Sequence, residues 1–260
     1  MALTSGVKTQ SEAQLGGSAL CSASKGRALC PITTVLAAHA ATLRTRRGQV
    51  LGLTLEGGET VFFVRAGILT LNVTMPGMSR QIATLLFAGD FLRSSFAPPH
   101  AEAALVSAGA GEVWRMRWGA FQELAAGDPA IARYFEEAIA SQMAAIHAAT
   151  LGQLDCEQRV VTFLIEIALR TGANCPGGGV VFDMPFSRKD IADYLGLNAD
   201  TLSRIMSRLK AAGLIGHSER NREVVRDFRA LAALSPAARS LVEVNRDWSG
   251  DSPAGTAALL

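Results

Sequence analysis

The chain is expected to be an α+β protein: an antiparallel β-barrel or jelly roll, then a long helix, then a helix-turn-helix with a β-hairpin wing. Three observations support this. Short β-like runs punctuated by glycine fill residues 44–116. Apolar residues recur at steps of three or four from Ile131 onward. Two short helical patterns, joined at Gly196, occupy residues 186–210 and are followed by turn and strand signals.

The first twenty residues are rich in Ser, Gly, Gln and Ala without an apolar period, which predicts a flexible arm over residues 1–28. They also lack the charged-then-apolar pattern of a signal peptide. Residues 31–41 suit a short helix with Ile32, Val35 and Leu36 turned inward. Val61 to Val64, Ile68 to Val73, Gln81 to Phe87 and Val113 to Met116 read as strands, with turns at Gly67, Pro76-Gly77 and Gly89. Strands of this length and spacing suggest a closed antiparallel architecture.

Asp128 is placed to cap a long helix whose first residue is Pro129. Its apolar stripe, Ile131, Phe135, Ile139, Met143 and Ile146, lies between two domains and suits a two-stranded seam, which predicts a homodimer. Asp155 and Gln158 form a capping box ahead of Val160, Val161, Leu164, Ile165 and Ala168, a helix that ends near Gly172. Gly177-Gly178-Gly179 reads as a turn before a strand at 180–184, because neither Lys-Ser/Thr nor a helix start follows, as phosphate binding would require.

Ser187 followed by Asp190 resembles a second capping box, and Ile191, Tyr194 and Leu195 can face a core. Gly196 stops that helix where a left-handed residue is wanted. Asn198 can cap the next helix, with Asp200 in its first turn. Leu202, Ile205, Met206 and Leu209 make its buried stripe, leaving Asp200, Ser203, Arg204 and Arg208 outward. The turn-rich residues 216–221 and the strand-like 223–226 predict a wing. A second helix with a basic outer face can enter a major groove of double-stranded DNA. Beyond Leu234 the chain becomes rich in Ala, Ser, Pro and Gly; residues 235–260 are expected to form a C-terminal tail, loose over 251–260.

Tyr194-Leu195-Gly196-Leu197 followed by Asp200-Thr201-Leu202-Ser203-Arg204 resembles the Crp/Fnr family of transcription regulators, in its Fnr/FixK-like branch. Gly67 and Phe87-Ala88-Gly89-Asp90-Phe91 likewise resemble that family's cyclic-nucleotide-binding-like β-roll. The resemblance implies a β-roll sensor domain over 29–126, a dimerisation helix over 127–153 and a winged helix-turn-helix domain over 154–234. It implies DNA contacts from Ser187, Arg188, Lys189, Asn198, Asp200, Thr201, Ser203, Arg204 and Arg208. By position, Arg204 would grip a guanine, Asp200 would accept from a cytosine amino group, and Ser203 would contact the neighbouring step. This branch usually has Glu where Asp200 stands, and a side chain one methylene shorter reaches less far. The implied function is a sequence-specific dimeric regulator, an activator by that resemblance with repression left open, that reads a TTGAT-type palindrome at genes responding to anaerobiosis, redox state or nitrogen oxides. RNA polymerase is the implied further partner. The alternative is a regulator with a haem, iron–sulfur or small-molecule effector in its N-terminal domain.

Composition narrows the classes further. The 260 residues carry a formal charge of +2, so basic character is local rather than global. No apolar run approaches a membrane span, and a cytoplasmic protein without membrane contact is expected. Four cysteines do not make a disulfide framework. No Ser, His and acid form a nucleophile motif and no metal triad has suitable spacing, so an enzyme is not expected.

The signal itself stays open. Cyclic nucleotide is disfavoured: Leu92-Arg93-Ser94-Ser95 follows Gly89-Asp90-Phe91 without the family's Glu, and Glu102 falls where the phosphate-holding pair is expected. Cys21 and Cys30 match the outer two of three N-terminal cluster ligands of the family's oxygen sensor, but Ser24 takes the middle place and the β-roll strands offer no fourth thiolate. His39, His100 and His147, with the Cys30-Pro31 and Cys175-Pro176 dipeptides, are weak haem candidates. Cys156, in the first turn of its helix, is a candidate for direct thiol oxidation, although Asp155 and Glu157 oppose a lowered thiol pKa. Neither an iron–sulfur cluster nor haem is favoured.

Overall fold

The computed structural model describes residues 31–54, 57–150, 153–175, 179–219 and 222–245. The expected arm, with Cys21 and Cys30, and residues 246–260 lie outside the described residues.

The N-terminal half is two four-stranded antiparallel sheets. One is ordered β1 (Ala41–Thr45), β8 (Gly111–Arg117), β3 (Thr60–Ala66), β6 (Phe91–Arg93); the other is ordered β2 (Val50–Gly52), β7 (Glu102–Ser107), β4 (Ile68–Thr74), β5 (Gln81–Phe87). Their inner faces bury Phe62, Leu69, Leu71, Leu86, Leu92, Leu105 and Val113. β4 is buried along six of its seven residues, Thr70 and Asn72 included, although its sequence alternates apolar and polar side chains from Leu69 onward. Gly67 has φ +88° between β3 and β4, and a Cβ there would sit 2.9 Å from the Ala110 carbonyl oxygen. Only glycine tolerates both demands.

Helix α1 (Pro31–His39) closes one side of the roll by burying Leu36 against Val61, Phe63, Phe91 and Trp114. Helix α2 (Trp118–Gly127) adds Phe121 to the same cluster. Helix α3 (Pro129–Thr150) then starts as expected, with Asp128 Oδ1 accepting from the Ala130 amide at 3.0 Å. Ile131 departs from expectation. It is 1% exposed, packed with Tyr134 and Ala138 on the aromatic cluster of the chain's own roll, and so has no surface left for a seam. Phe135 lies 5.2 Å from the Phe91 ring, whereas Met143 is exposed.

The C-terminal half follows through α4 (Cys156–Thr171), β9 (Ala173–Asn174), β10 (Val180–Asp183), α5 (Arg188–Leu195), α6 (Ala199–Ala211), β11 (Ile215–Glu219) and β12 (Arg222–Val225). Its sheet is ordered β11-β12-β10-β9. The wing differs from expectation at residues 216–219, which are strand rather than turn, because Gly216 and His217 pair with Val224 and Glu223. Two short helices end the described chain, α7 (Phe228–Ala232) and α8 (Ala238–Val244). The first part of the expected C-terminal tail is therefore helical and packed as far as Asn245, and residues 251–260, expected to be loose, lie outside the described residues. α8 buries Ala238, Leu241 and Val242 and packs on α3 and α4, while Ser235 and Thr162 join their hydroxyls at 2.7 Å. A helix of seven residues is too short to display its apolar period in the sequence.

The two halves are docked. Ile82, Leu85 and Phe87 of β5 share a core with Phe163, Leu164 and Ile167 of α4. Arg80, ahead of β5, reaches Asp190 and Asp193 of α5 at 3.6 and 3.7 Å. Deeper in, Arg170 Nη2 donates to Asp90 Oδ1 at 2.6 Å, with the guanidinium over the Phe87 ring. Burial raises the pKa of the Asp90 carboxyl, while Arg170 and the Phe87 amide, at 2.7 Å, hold that rise back.

Candidate nucleic-acid interface

Local chemistry builds the helix-turn-helix. Ser187 Oγ accepts from the Asp190 amide at 3.1 Å, and Asp190 Oδ2 accepts from the Ser187 amide at 3.0 Å, which satisfies two donors at the start of α5. Burial of Asp190 would raise its pKa, but the hydrogen bonds from Ser187 and the charge of Arg80 outweigh it and hold the carboxyl below its usual value. Gly196, at φ +63°, ends the helix in the left-handed conformation, and its amide donates to the Ala192 and Asp193 carbonyls. Asn198 Oδ1 accepts from the Asp200 amide at 2.8 Å and starts α6. The Arg159 guanidinium donates to the Leu154 and Leu195 carbonyls, bracing the end of α5 on the start of α4.

This framework divides α6 into two faces. Leu202, Ile205, Met206 and Leu209 are buried, whereas Asp200, Ser203, Arg204, Ser207 and Arg208 are exposed. Ser187, Lys189 and Asn198 are also exposed, and Thr201 and Arg188 are half-buried. Three of the exposed α6 side chains have other engagements in this structure, the Ser207 hydroxyl donating to the Ser203 carbonyl at 2.9 Å. The Ser203 hydroxyl donates back to the Ala199 carbonyl at 2.9 Å, and Arg208 Nη2 donates to Glu157 Oε2 at 2.6 Å. Arg204 and Arg208 border a cleft of about 480 Å³ with Thr201, Asp155, Cys156 and Glu157. Cys156 is an exposed free thiol on that rim.

A residue that sequence reasoning passed over organises the basic side chains. Glu223 of β12 is only 4% exposed, yet it faces Arg188 at 3.7 Å, Lys210 at 3.7 Å and His217 at 3.3 Å. One buried carboxylate thus ties α5, α6 and the wing together. Glu157 was missed for the same reason: its partner Arg208 lies 51 positions away, and no local pattern links them.

The sensor candidates fare differently. Arg93, which with Ser94 forms an Arg-Ser pair just after Gly89-Asp90-Phe91, donates to Glu59 at 2.7 and 2.8 Å and lies 4.1 Å over the Trp118 ring. Those hydrogen bonds hold the Glu59 carboxyl below its usual range. Ser94 Oγ accepts from the Thr60 amide at 3.0 Å, so both members of the pair have structural partners. His39, His100 and His147 are exposed. Among the described residues, no three His, Cys, Asp or Glu side chains converge as metal ligands, and no helix is long and apolar enough to cross a membrane.

Comparison with known proteins agrees with this architecture. The family model described as a Crp-like helix-turn-helix domain matches residues 158–234. The nitrogen fixation regulation protein FixK of Bradyrhizobium diazoefficiens is 31% identical over 172 residues, covering 62% of this chain and 72% of the relative. The transcriptional activator protein FnrL of Cereibacter sphaeroides is 29% identical over 214 residues, covering 79% and 81% respectively. Among solved structures, FixK2 from Bradyrhizobium japonicum superposes with a TM-score of 0.62 at 27% identity, covering 75% of this chain and 97% of that one. With its docked β-roll, long helix and winged helix-turn-helix, this chain belongs to the Crp/Fnr family of DNA-binding transcription regulators and is FixK-like within it.

Proposed function

We propose that the protein works as a homodimer that reads a TTGAT-type palindrome and activates genes responding to oxygen limitation, redox state or nitrogen oxides, in contact with RNA polymerase. The observation that carries this reading is the two-faced α6: four apolar residues anchor it while Asp200, Ser203, Arg204 and Arg208 are exposed on the outer face. A helix of that kind offers bidentate Arg204 to a guanine, and Asp200 to a cytosine amino group. Ser187, Arg188 and Lys189 at the start of α5, with Asn198 and Thr201, suit contacts to phosphates and to the edge of the groove. A two-fold dimer presents two such helices to successive major grooves. Ile139, Met143 and Ile146, with the outer edge of Phe135, form its seam.

Mobility shift on a TTGAT-type palindrome and a scrambled site tests the reading. Arg204→Ala is expected to cost about 1–3 kcal/mol on the palindrome and to relax preference for its guanine. Lys189→Ala is expected to weaken both sites alike, as a phosphate contact would. Equal binding of the parent and Arg204→Ala to the palindrome would remove the assignment.

A further inference from the structure

Where β5, α3, α4 and α5 meet, they enclose a cavity of about 530 Å³, within the size range of small-molecule sites. Its apolar wall comes from Ile82 of β5, Ile146 of α3 and Phe163 of α4. Four polar side chains line it without a hydrogen bond to any described residue, the exposed Gln81 and Gln153 at its rim and the half-buried Glu166 and Tyr194. The cations around them are engaged elsewhere. Arg159 donates to two backbone carbonyls, Arg80 faces Asp190 and Asp193, and Arg170, one turn beyond Glu166, is ion-paired with Asp90.

Four acids (Asp90, Glu166, Asp190 and Asp193) surround the cavity and its rim against three cations (Arg80, Arg159 and Arg170). Burial, opposed by Arg170 and reinforced by Asp90, pushes the Glu166 carboxyl up to about 7. Arg170 is shared with Asp90 and Arg159 is held by two carbonyls, so the Glu166 carboxylate has no hydrogen-bonded cation of its own among the described residues, and it borders the open space. An anionic ligand would meet repulsion there, and a purely apolar one would leave the carboxylate desolvated without compensation.

We propose that this cavity binds a small organic cation, an amine or amidine carried on an apolar ring, with its N–H groups on Glu166 and Tyr194 and its ring between Ile82, Ile146 and Phe163. Such a ligand touches the β-roll, the long helix and both helices of the DNA-binding half that line the space. It therefore favours the docked arrangement by its differential affinity for it. The site is independent of the DNA-binding reading.

Calorimetric titration of the full-length protein with benzamidine at about pH 8 tests it without DNA, so failure here is distinct from failure to bind an operator. Benzamidine stays cationic across the range used, and neutral benzamide and anionic benzoate are the controls. Saturable binding of benzamidine is expected, at least about tenfold weaker in Glu166→Gln through loss of a charge-assisted hydrogen bond. Benzamide should bind weakly and benzoate not at all. Lowering the pH to about 6 should also weaken benzamidine about tenfold, as the carboxylate protonates. Should Glu166→Gln not fold, Ala83→Trp crowds the cavity from the exposed side of β5 and carries the same expectation. Absence of saturable binding by both benzamidine and phenethylamine, equal affinity in the variants, or tighter binding of benzoate would each overturn the proposal.

Discussion

Arg170 and Asp90, 80 positions apart in the chain, form an ion pair of 2.6 Å whose side chains are only 3% and 2% exposed. The pair crosses the boundary between the β-roll and the DNA-binding half. Its energetic meaning is asymmetric: a buried pair adds little net stability over an apolar replacement, but a single orphaned charge is costly. Arg170→Met is expected to lower unfolding stability by about 3–5 kcal/mol in urea titrations. Adding Asp90→Asn should recover much of that loss. A double variant no more stable than the single one would show that the charge on Asp90 is not what matters.

Stability should also depend on pH through Glu166. Burial raises its carboxyl from 4.5 to about 7, so the folded protein binds that proton more tightly than the unfolded chain. Its contribution is fully present below the unfolded value and is lost as pH rises through the folded one. Between about pH 4.5 and 7 this group should remove about 2 kcal/mol, a discounted figure because its carboxylate edge still meets cavity solvent. Thermal melts of Glu166→Gln across that window should show a flatter profile than the parent. Identical slopes would exclude Glu166 as the titrating group.

Glu157 holds Arg208 on the outer face of α6. Exposed pairs of this kind are worth about 0–1 kcal/mol, so freeing the arginine has a small, signed effect. Glu157→Gln is expected to tighten DNA binding by up to about fivefold at low salt, with the gain fading as salt rises. Fluorescence anisotropy at two ionic strengths measures this. Weaker binding in the variant would mean that Glu157 positions Arg208 rather than competing for it.

The dimer seam is tested by charge. Ile139 and Met143 lie on the part of α3 that the roll leaves at least partly uncovered. Changing both to Glu would set like charges against each other across an apolar seam, and the monomer is the expected species in sedimentation. The same change at Ile131 would instead unfold the roll, because that side chain is already part of its core. A dimer that survives the double change would place the interface elsewhere.

What could be read from the sequence was local. The boxes at Asp155 with Gln158 and at Ser187 with Asp190, the left-handed Gly196 and the Asn198 cap each involve partners within four residues. Their chemistry is therefore visible in a short window. The outward row of α6 was legible because its opposite face is so regularly apolar. By contrast, β7 carries Glu102, Ala103 and Ala104, poor strand formers held in place by pairing with β4 and β2. The partners of Glu223 and Asp90 come from distant elements, so only the fold brings them together. α8 was obscured because it is only seven residues long, and its buried Ala238, Leu241 and Val242 are too few to display a helical period.

That last helix changes what counts as the DNA-binding half. A fragment cut after Leu234 would retain every residue placed against DNA yet lose Leu241 and Val242 from the core beneath α4, and Ser235 from its hydrogen bond to Thr162. Its failure to bind an operator would then report a collapsed scaffold and say nothing about recognition. Gene truncations and domain grafts alike have to carry the chain through Asn245.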